Sequence, residues 1–290
     1  MLRLGGRVFT KEKKSTGAAL LDPYELAEAH KRKGYTAAYA PKLNINETET
    51  IKEFRKVFEK ENILFAEVGY WKNLMDTDLE VRKKNRNEMA DAFALAEELG
   101  ASCVVGLTGS YHSPGEVADK SVGHNFSRQA FEEVVDMARY FIDLVNPKTS
   151  YFTYEIYQFS HVDSVEMIAK LIKAVDRKQF GVHLDLANLV NCPRRYWKTG
   201  ELVKECIKQF GDLIVAAHAK DVRMMEPYVT VNFEEVIPGE GILDIATFVR
   251  ELHRLPRIIP YMIEHLATEE EFDRASSHIR KIAASEGIEI

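Results

Sequence analysis

The chain has few cysteines, no excess of positive charge and no long apolar run. Its three cysteines, Cys103, Cys192 and Cys206, include no Cys-x-x-Cys pair, which argues against a disulfide framework and a thiolate zinc site. The net charge of −6 argues against a nucleic-acid partner, because a nucleic-acid-binding face is normally basic. No run approaches the roughly 18 to 20 apolar residues that span a bilayer, and the first residues lack the apolar segment of a signal peptide. We therefore expect a soluble cytoplasmic protein without a membrane partner.

The early part of the chain also lacks the Gly-x-Gly-x-x-Gly run that opens a dinucleotide-binding sheet. The Gly-Glu-Gly at 239–241 comes late, and alone such a run is more often a turn than a phosphate-binding loop. A length of 290 residues allows one large domain or two ordinary ones, and barrels commonly have this length.

Strand and helix signals alternate along the whole chain. Asp22-Pro23 predicts a helix start, and capping-box patterns at Thr77 to Glu80 and Thr268 to Glu271 predict two more. Eight strand signals alternate with eight helix signals, and no linker interrupts them. The pattern predicts an α/β chain that forms a single (β/α)8 TIM barrel over residues 1–290, with an open doubly wound sheet as the alternative.

Four of the predicted strands end in a residue that can bind a metal. The run 214–221, Ile-Val-Ala-Ala-His-Ala-Lys-Asp, places His218 at the end of an apolar strand, and Glu155, Asp185 and Glu264 close three similar runs. Successive members are 30, 33 and 46 positions apart, near or above the length of one βα unit. Four consecutive parallel strands would therefore bring these side chains together.

Three buried carboxylates beside a histidine favour a bound cation, because an unpaired buried carboxylate costs several kcal/mol. A mostly oxygen ligand set suits Mn²⁺ or Mg²⁺ as well as Zn²⁺ or Co²⁺. We expect one divalent ion per chain. The alternative is a set of buried salt bridges without an ion.

Other residues near the predicted strand ends are candidates for substrate binding. Trp71 and His112 follow the third and fourth strands, where they could wall a sugar, although aromatic loop residues are as often packing. Lys220 and Arg223 follow His218 and could hold a phosphate or carboxylate, although solvated loop charges are more common. His183 shares the side of its strand with Asp185, and a hydrogen-bonded core histidine is the favoured interpretation.

The ligand candidates, together with Pro238-Gly-Glu-Gly241, resemble the xylose isomerase-like TIM-barrel superfamily. They are most similar to its sugar phosphate isomerase/epimerase branch, which includes the tagatose 3-epimerase-like enzymes, and the resemblance covers nearly the whole chain. It implies that Glu155, Asp185, His218 and Glu264 bind one divalent ion, with Mn²⁺ expected first.

The resemblance also implies the chemistry. Glu155 and Glu264 would transfer protons on opposite faces of a bound ketose, through a metal-stabilised enediolate. The family often has Asp-x-x-His after strand six, whereas this chain has Asp185-Leu-Ala-Asn188. Asn188 can hydrogen-bond a substrate hydroxyl but cannot become a cation.

The expected function is a metal-dependent isomerase or epimerase of carbohydrate metabolism that acts on a small sugar, sugar phosphate or polyol. The first alternative is a lyase or dehydratase that acts on a keto-inositol or related polyol, because enediolate formation precedes elimination as readily as epimerisation. An endonuclease IV-like DNA-repair nuclease fits less well, since such enzymes use three zinc ions and more histidines. A non-catalytic sugar-binding barrel is a further alternative, and assembly into a homo-oligomer stays open.

Overall fold

The computed structural model describes residues 1–9, 22–112, 120–225 and 229–290. No helix within these ranges is long and apolar enough to cross a membrane. The strands are β1 (Leu2–Gly6), β2 (Ala37–Tyr39), β3 (Leu64–Tyr70), β4 (Cys103–Gly106), β5 (Tyr151–Tyr154), β6 (Val182–Asp185), β7 (Ile214–Ala219), β8 (Asp221–Met224), β9 (Phe233–Val236) and β10 (Ile259–Ile263). The helices are α1 (Pro23–Arg32), α2 (Thr48–Lys60), α3 (Leu79–Leu99), α4 (Arg128–Val145), α5 (Val165–Val175), α6 (Leu186–Leu189), α7 (Pro193–Tyr196), α8 (Thr199–Phe210), α9 (Ile245–His253) and α10 (Glu269–Ser285).

Eight parallel strands form one sheet that closes on itself. Their order is β5-β4-β3-β2-β1-β10-β7-β6. Parallel bridges from Phe152 to Phe180 and from Glu155 to His183 join the two ends of this order. Helices connect successive barrel strands, as parallel neighbours require. The predicted (β/α)8 barrel is therefore confirmed.

Helix starts follow local capping chemistry. Asp22 accepts hydrogen bonds from the backbone N–H groups of Tyr24 and Glu25 at the start of α1, and the predicted capping box of Thr268 and Glu271 is present at α10. At α3, the predicted capping residue Thr77 lies one position before the observed N-cap.

Asp78, not Thr77, caps α3, and it accepts from the N–H groups of Glu80 and Val81. A carboxylate at this position is also favoured by the positive end of the helix dipole. The backbone N–H of Thr77 instead donates to the carbonyl of His112, which ties it to the loop after β4.

The apolar core lies between the helices and the sheet. The apolar stripe of α2 is buried there, at Ile51, Phe54, Val57 and Phe58. The interior of the barrel near the carboxyl ends of the strands holds polar groups instead, and these form the site described next.

The segment after β7 contains a two-stranded hairpin. β8 and β9 pair antiparallel in a hairpin, and the chain then returns through Pro238-Gly-Glu-Gly241. The carboxylate of Asp221 accepts hydrogen bonds from the backbone N–H groups of Gly239, Gly241 and Leu243. One buried side chain thus fixes the return of the hairpin to the barrel.

Candidate metal centre

The four predicted ligands meet at the carboxyl ends of four neighbouring strands. Glu155 and Glu264 directly follow β5 and β10, Asp185 ends β6, and His218 is the fifth residue of β7. Their ligand atoms all lie within 4.8 Å of one another. His218 Nδ1 is 2.8 Å from Glu264 Oε1, 3.1 Å from Glu155 Oε1 and 3.4 Å from Asp185 Oδ2. The spacing of the ligands along the chain thus becomes proximity in space.

Strand register holds this arrangement in place. Asp185 on β6 is the register partner of His218 on β7, and Met262 on β10 is the partner of His218 on the other side. Glu155 bridges to His183 at the point where the barrel closes. Because a slip of one residue would turn each side chain to the other face of the sheet, the register of these strands also specifies the site.

The four ligands differ in their exposure. The side chains of Asp185 and His218 are fully buried, whereas those of Glu155 and Glu264 are 9% and 13% exposed. The two glutamates are therefore the members of the cluster that a small molecule entering from solvent can contact.

Lys220 lies within the same cluster. Its Nζ is 2.5 Å from Glu264 Oε1, 2.8 Å from Asp185 Oδ2 and 3.4 Å from Glu155 Oε1, and its side chain is buried. Burial acts to lower the pKa of Lys220, but the attraction of the three carboxylates outweighs it and raises the pKa. Lys220, which was predicted as a residue that could hold a substrate phosphate or carboxylate, therefore lies among the carboxylates of the cluster.

The environment moves the pKa values of the two glutamates in opposite directions. Burial raises the pKa of Glu155. Burial also acts to raise the pKa of Glu264, but the charges of His218 and Lys220 outweigh it and lower the pKa. The two glutamates therefore have different electrostatic surroundings within one cluster.

The donor set fits a divalent metal ion. Three carboxylates and one imidazole supply hard oxygen ligands and one nitrogen at converging positions. The charges also fit, because one ammonium group and one divalent ion together balance three carboxylates. A buried cluster with this much negative charge is costly unless cations neutralise it. Glu155, Asp185, His218 and Glu264 are therefore the residues that would hold an ion.

Asn188 lies beside the cluster. Its Nδ2 donates to the Ile156 carbonyl at 2.9 Å and is 3.5 Å from Glu155 Oε1. Its backbone N–H donates to Asp185 Oδ1 at 3.1 Å. The residue therefore contacts two of the candidate ligands.

The other predicted substrate-binding residues lie farther out. Trp71 is exposed after β3 and His112 is half-buried after β4. The side chain of Asn73 links the two loops, because its Nδ2 donates to the carbonyls of Ser110 and His112. Trp71 and His112 thus share the barrel end of the ligand cluster, but across the described residues neither is hydrogen-bonded to it.

Arg223 points to a different partner. It lies on β8, is exposed, and donates to Glu234 Oε1 on β9 through Nε at 2.8 Å and Nη2 at 2.7 Å. The structure therefore places this predicted anion-binding residue on the hairpin, where its charge is paired.

Two residues near the centre are absent from the sequence interpretation. Glu67 on β3 is buried, and its Oε2 lies 2.7 Å from His183 Nε2. It stands in an apolar run as Glu155 does, which is the signal that marks it, but it lies three residues before the end of its strand. His265 follows Glu264, has a φ of 58°, and its Nδ1 is 3.0 Å from Glu235 Oε2. Only the fold brings these partners together.

Comparison with known proteins assigns the family. The family model described as xylose isomerase-like TIM barrel matches residues 27–282. The chain belongs to this family. Within the barrel of this xylose isomerase-like protein, the ligand cluster occupies the carboxyl ends of the strands, where active sites of such barrels lie. No curated protein gives a significant match to the sequence.

Solved structures of different activities are similar to this xylose isomerase-like chain. A D-psicose 3-epimerase from Clostridium cellulolyticum H10, with D-tagatose, has a TM-score of 0.65 at 14% identity and covers 98% of both chains. The probable 3-DHS dehydratase AsbF from Bacillus anthracis has a TM-score of 0.65 at 14% identity, over 98% of this chain and 99% of that one. Endonuclease IV from Thermus thermophilus has a TM-score of 0.67 at 16% identity, over 98% and 99%. At these identities the likeness shows the fold, and the epimerase branch stays a prediction.

Proposed function

We propose that this chain is a divalent-metal-dependent isomerase or epimerase of a small sugar or polyol. The observation that carries the proposal is the placement of Glu155 and Glu264. They are the two candidate ligands with exposed area, and both converge on His218 Nδ1.

The order of strands around the barrel supports two proton-transfer groups. Glu155 follows β5 and Glu264 follows β10, and β6 and β7 lie between them with Asp185 and His218. The two glutamates thus flank the buried pair. A substrate carbon held at the carboxyl ends of the strands would lie between two carboxylates that approach it from separate strands.

This arrangement suits removal and return of a proton next to a carbonyl group. A divalent ion bound by the cluster would polarise the carbonyl oxygen and so acidify that proton. One glutamate then removes the proton and the other returns it, and a positioned carboxylate of this kind contributes roughly 10²- to 10⁴-fold. Asp185 and His218, which are fully buried, hold the geometry.

The charges near the centre favour a neutral substrate. Lys220 is already surrounded by three carboxylates, and Arg223 is paired with Glu234. Lys220 is not available to a phosphate group in this arrangement, and Arg223 would have to leave Glu234 to bind one. Asn188 offers an amide that can hydrogen-bond a hydroxyl group. A ketose or polyol without phosphate is the substrate class that these groups fit best.

A proton-exchange screen in heavy water tests the proposal. The protein with added Mn²⁺ is incubated with ketoses, ketose phosphates and keto-inositols, and deuterium at the carbon next to the carbonyl is measured. We expect exchange with a substrate of the neutral class, and loss of turnover in Glu155→Gln and Glu264→Gln variants that keep their metal. Glu88→Gln is the matched control, because Glu88 is paired with Lys72 away from the cluster.

Three outcomes distinguish the alternatives. A dehydrated, unsaturated product would favour the lyase. Cleavage of abasic DNA by protein with up to three bound zinc ions would favour the nuclease. Near-normal turnover in both glutamine variants with metal bound would refute the two-carboxylate chemistry.

A further inference from the structure

Glu67 forms a buried link across the inside of the barrel. It lies on β3, which is four strands from β7 in the closed order of eight, so the two strands face each other across the barrel. Glu67 Oε1 is 3.5 Å from His218 Nε2, and Glu67 Oε2 is 2.7 Å from His183 Nε2. The carboxylate therefore contacts two histidines on adjacent strands opposite its own.

A buried carboxylate at this place requires donors. Glu67 is 2% exposed and His183 is fully buried. His183 Nδ1 has no hydrogen-bond partner among the described residues. A buried N–H without an acceptor is rarer and costlier than an unpaired acceptor, so Nε2, which lies 2.7 Å from Glu67 Oε2, carries a hydrogen and donates it to Glu67. His183 thereby fixes the position of the carboxylate.

The second oxygen of Glu67 faces the candidate ligand His218. The two nitrogens of this ring have different surroundings, since Nδ1 faces Glu155, Asp185 and Glu264 whereas Nε2 faces Glu67. A ring that binds a metal through Nδ1 must present a lone pair there and carry its hydrogen on Nε2. Nε2 has no hydrogen-bond partner among the described residues, and Glu67 Oε1, 3.5 Å away, is an acidic oxygen that a slightly closer approach would let accept this hydrogen.

We propose that Glu67 is a positioning residue of the metal centre, which sets the tautomer and the orientation of His218 and is itself held by His183. Carboxylates that accept a hydrogen bond from a ligand histidine increase its basicity and fix its ring, and their loss costs 10- to 100-fold in metal affinity. The inference rests on the proposed metal site, and it adds a fifth strand, β3, to the four that position the ligands.

Glutamine at position 67 tests the role with little change in shape. Its side chain has one acceptor and one donor end, so it cannot accept hydrogen bonds from both histidines. If the amide faces His218, the ring is forced into the tautomer that carries hydrogen on Nδ1. If the amide faces His183, that ring must move its hydrogen to Nδ1, for which the described residues offer no acceptor. Either arrangement disturbs the link.

The experiment is a calorimetric titration of Mn²⁺ into chelator-treated protein. We expect Glu67→Gln to bind Mn²⁺ 10- to 100-fold more weakly than the unaltered chain. Ser150→Ala is the matched control, because it also removes a buried hydrogen bond, from Ser150 to the Ala101 carbonyl. Ser150 precedes β5, whereas the candidate ligand Glu155 follows that strand. Thermal unfolding in chelator measures how far each change destabilises the fold by itself. The control should lose stability without losing metal affinity.

Substitutions of His183 and nitrogen-15 spectra of His218 test the same role if Glu67→Gln does not fold. His183→Gln keeps a donor for Glu67 and should retain more Mn²⁺ affinity than His183→Leu. Nitrogen-15 spectra of the Zn²⁺-loaded chain should show the hydrogen of His218 on Nε2.

The outcomes separate this inference from the proposed function. No Mn²⁺ binding by the unaltered chain would refute the metal site itself. Equal affinity in Glu67→Gln and the unaltered chain, or equal losses in Glu67→Gln and Ser150→Ala, would overturn the positioning role while leaving the metal site in place.

Discussion

The residues of the metal centre differ in how far the sequence alone predicts their contacts. Glu155, Asp185, His218 and Glu264 could be predicted from the sequence, because each stands at the end of an apolar run and the runs recur at βα spacing. The contacts of Glu67 could not be predicted, since they depend on which strands face each other across the closed barrel, and those of Lys220 depend on the side-chain positions within the cluster. Local sequence thus indicates which side chains reach the site, and the fold decides which of them touch.

Substitutions of Asp185 and Asn188 should separate metal binding from substrate binding. Asp185→Asn replaces a fully buried carboxylate of the cluster with a neutral amide, so we expect it to lose the ion. Asn188→Ala removes only a hydrogen-bonding amide and should keep the ion while it weakens substrate binding. Titrations with Mn²⁺ and with substrate measure the two effects. Equal metal loss in the two variants would show that Asn188 belongs among the ligands.

His30, remote from the centre, should make stability depend on pH. Burial lowers the pKa of this histidine from 6.5 to about 4, although its hydrogen bond to the Leu26 carbonyl opposes the shift. The unfolded chain then binds a proton near pH 6.5 that the folded chain does not bind. Stability is therefore full above pH 6.5 and is lost as the pH falls towards 4, by about 2 kcal/mol between pH 7 and pH 5.

Urea unfolding of the unaltered chain and of His30→Asn at several pH values measures this contribution. The variant has no imidazole to titrate, so its free energy of unfolding should fall less steeply over this range. If the free energies of unfolding of the two proteins changed equally with pH, groups other than His30 would cause the pH dependence.

At the scale of elements, caps and turns account for most of what local sequence predicted. The starts of α1 and α10 follow directly from Asp22 and Thr268, because a side-chain oxygen satisfies backbone N–H groups that a helix leaves free. The hairpin of β8 and β9 was not predicted. Its strands are short, and it is anchored by Asp221 through contacts with residues about 20 positions away.

Gly241 should be essential for this anchor. A Cβ atom at this position would overlap the Asp221 carboxylate and the Val222 carbonyl. We expect Gly241→Ala to destabilise the fold by roughly 1 to 3 kcal/mol, as overpacking usually does. The comparison is Gly123→Ala, because an added Cβ there meets no described atom within 4 Å. Urea unfolding of both variants measures the difference, and equal stability would contradict the tight packing of this turn.

For the molecule as a whole, the alternation of strand and helix signals predicted the barrel. Closure required more than that alternation, because an open doubly wound sheet has the same pattern. The register of Glu155 with His183 at the closing point decides between them. This same contact brings Glu155 beside the other three ligands, so the centre is complete only in the closed barrel.

The most direct test of the proposed centre is an anomalous-scattering measurement on crystals soaked in Mn²⁺. We expect one anomalous peak per chain, within bonding distance of Glu155, Asp185, His218 and Glu264. Crystals of Asp185→Asn under the same conditions should lack it. An absent peak in the unaltered chain, or a peak that none of these four side chains contacts, would show that these residues do not form a metal site.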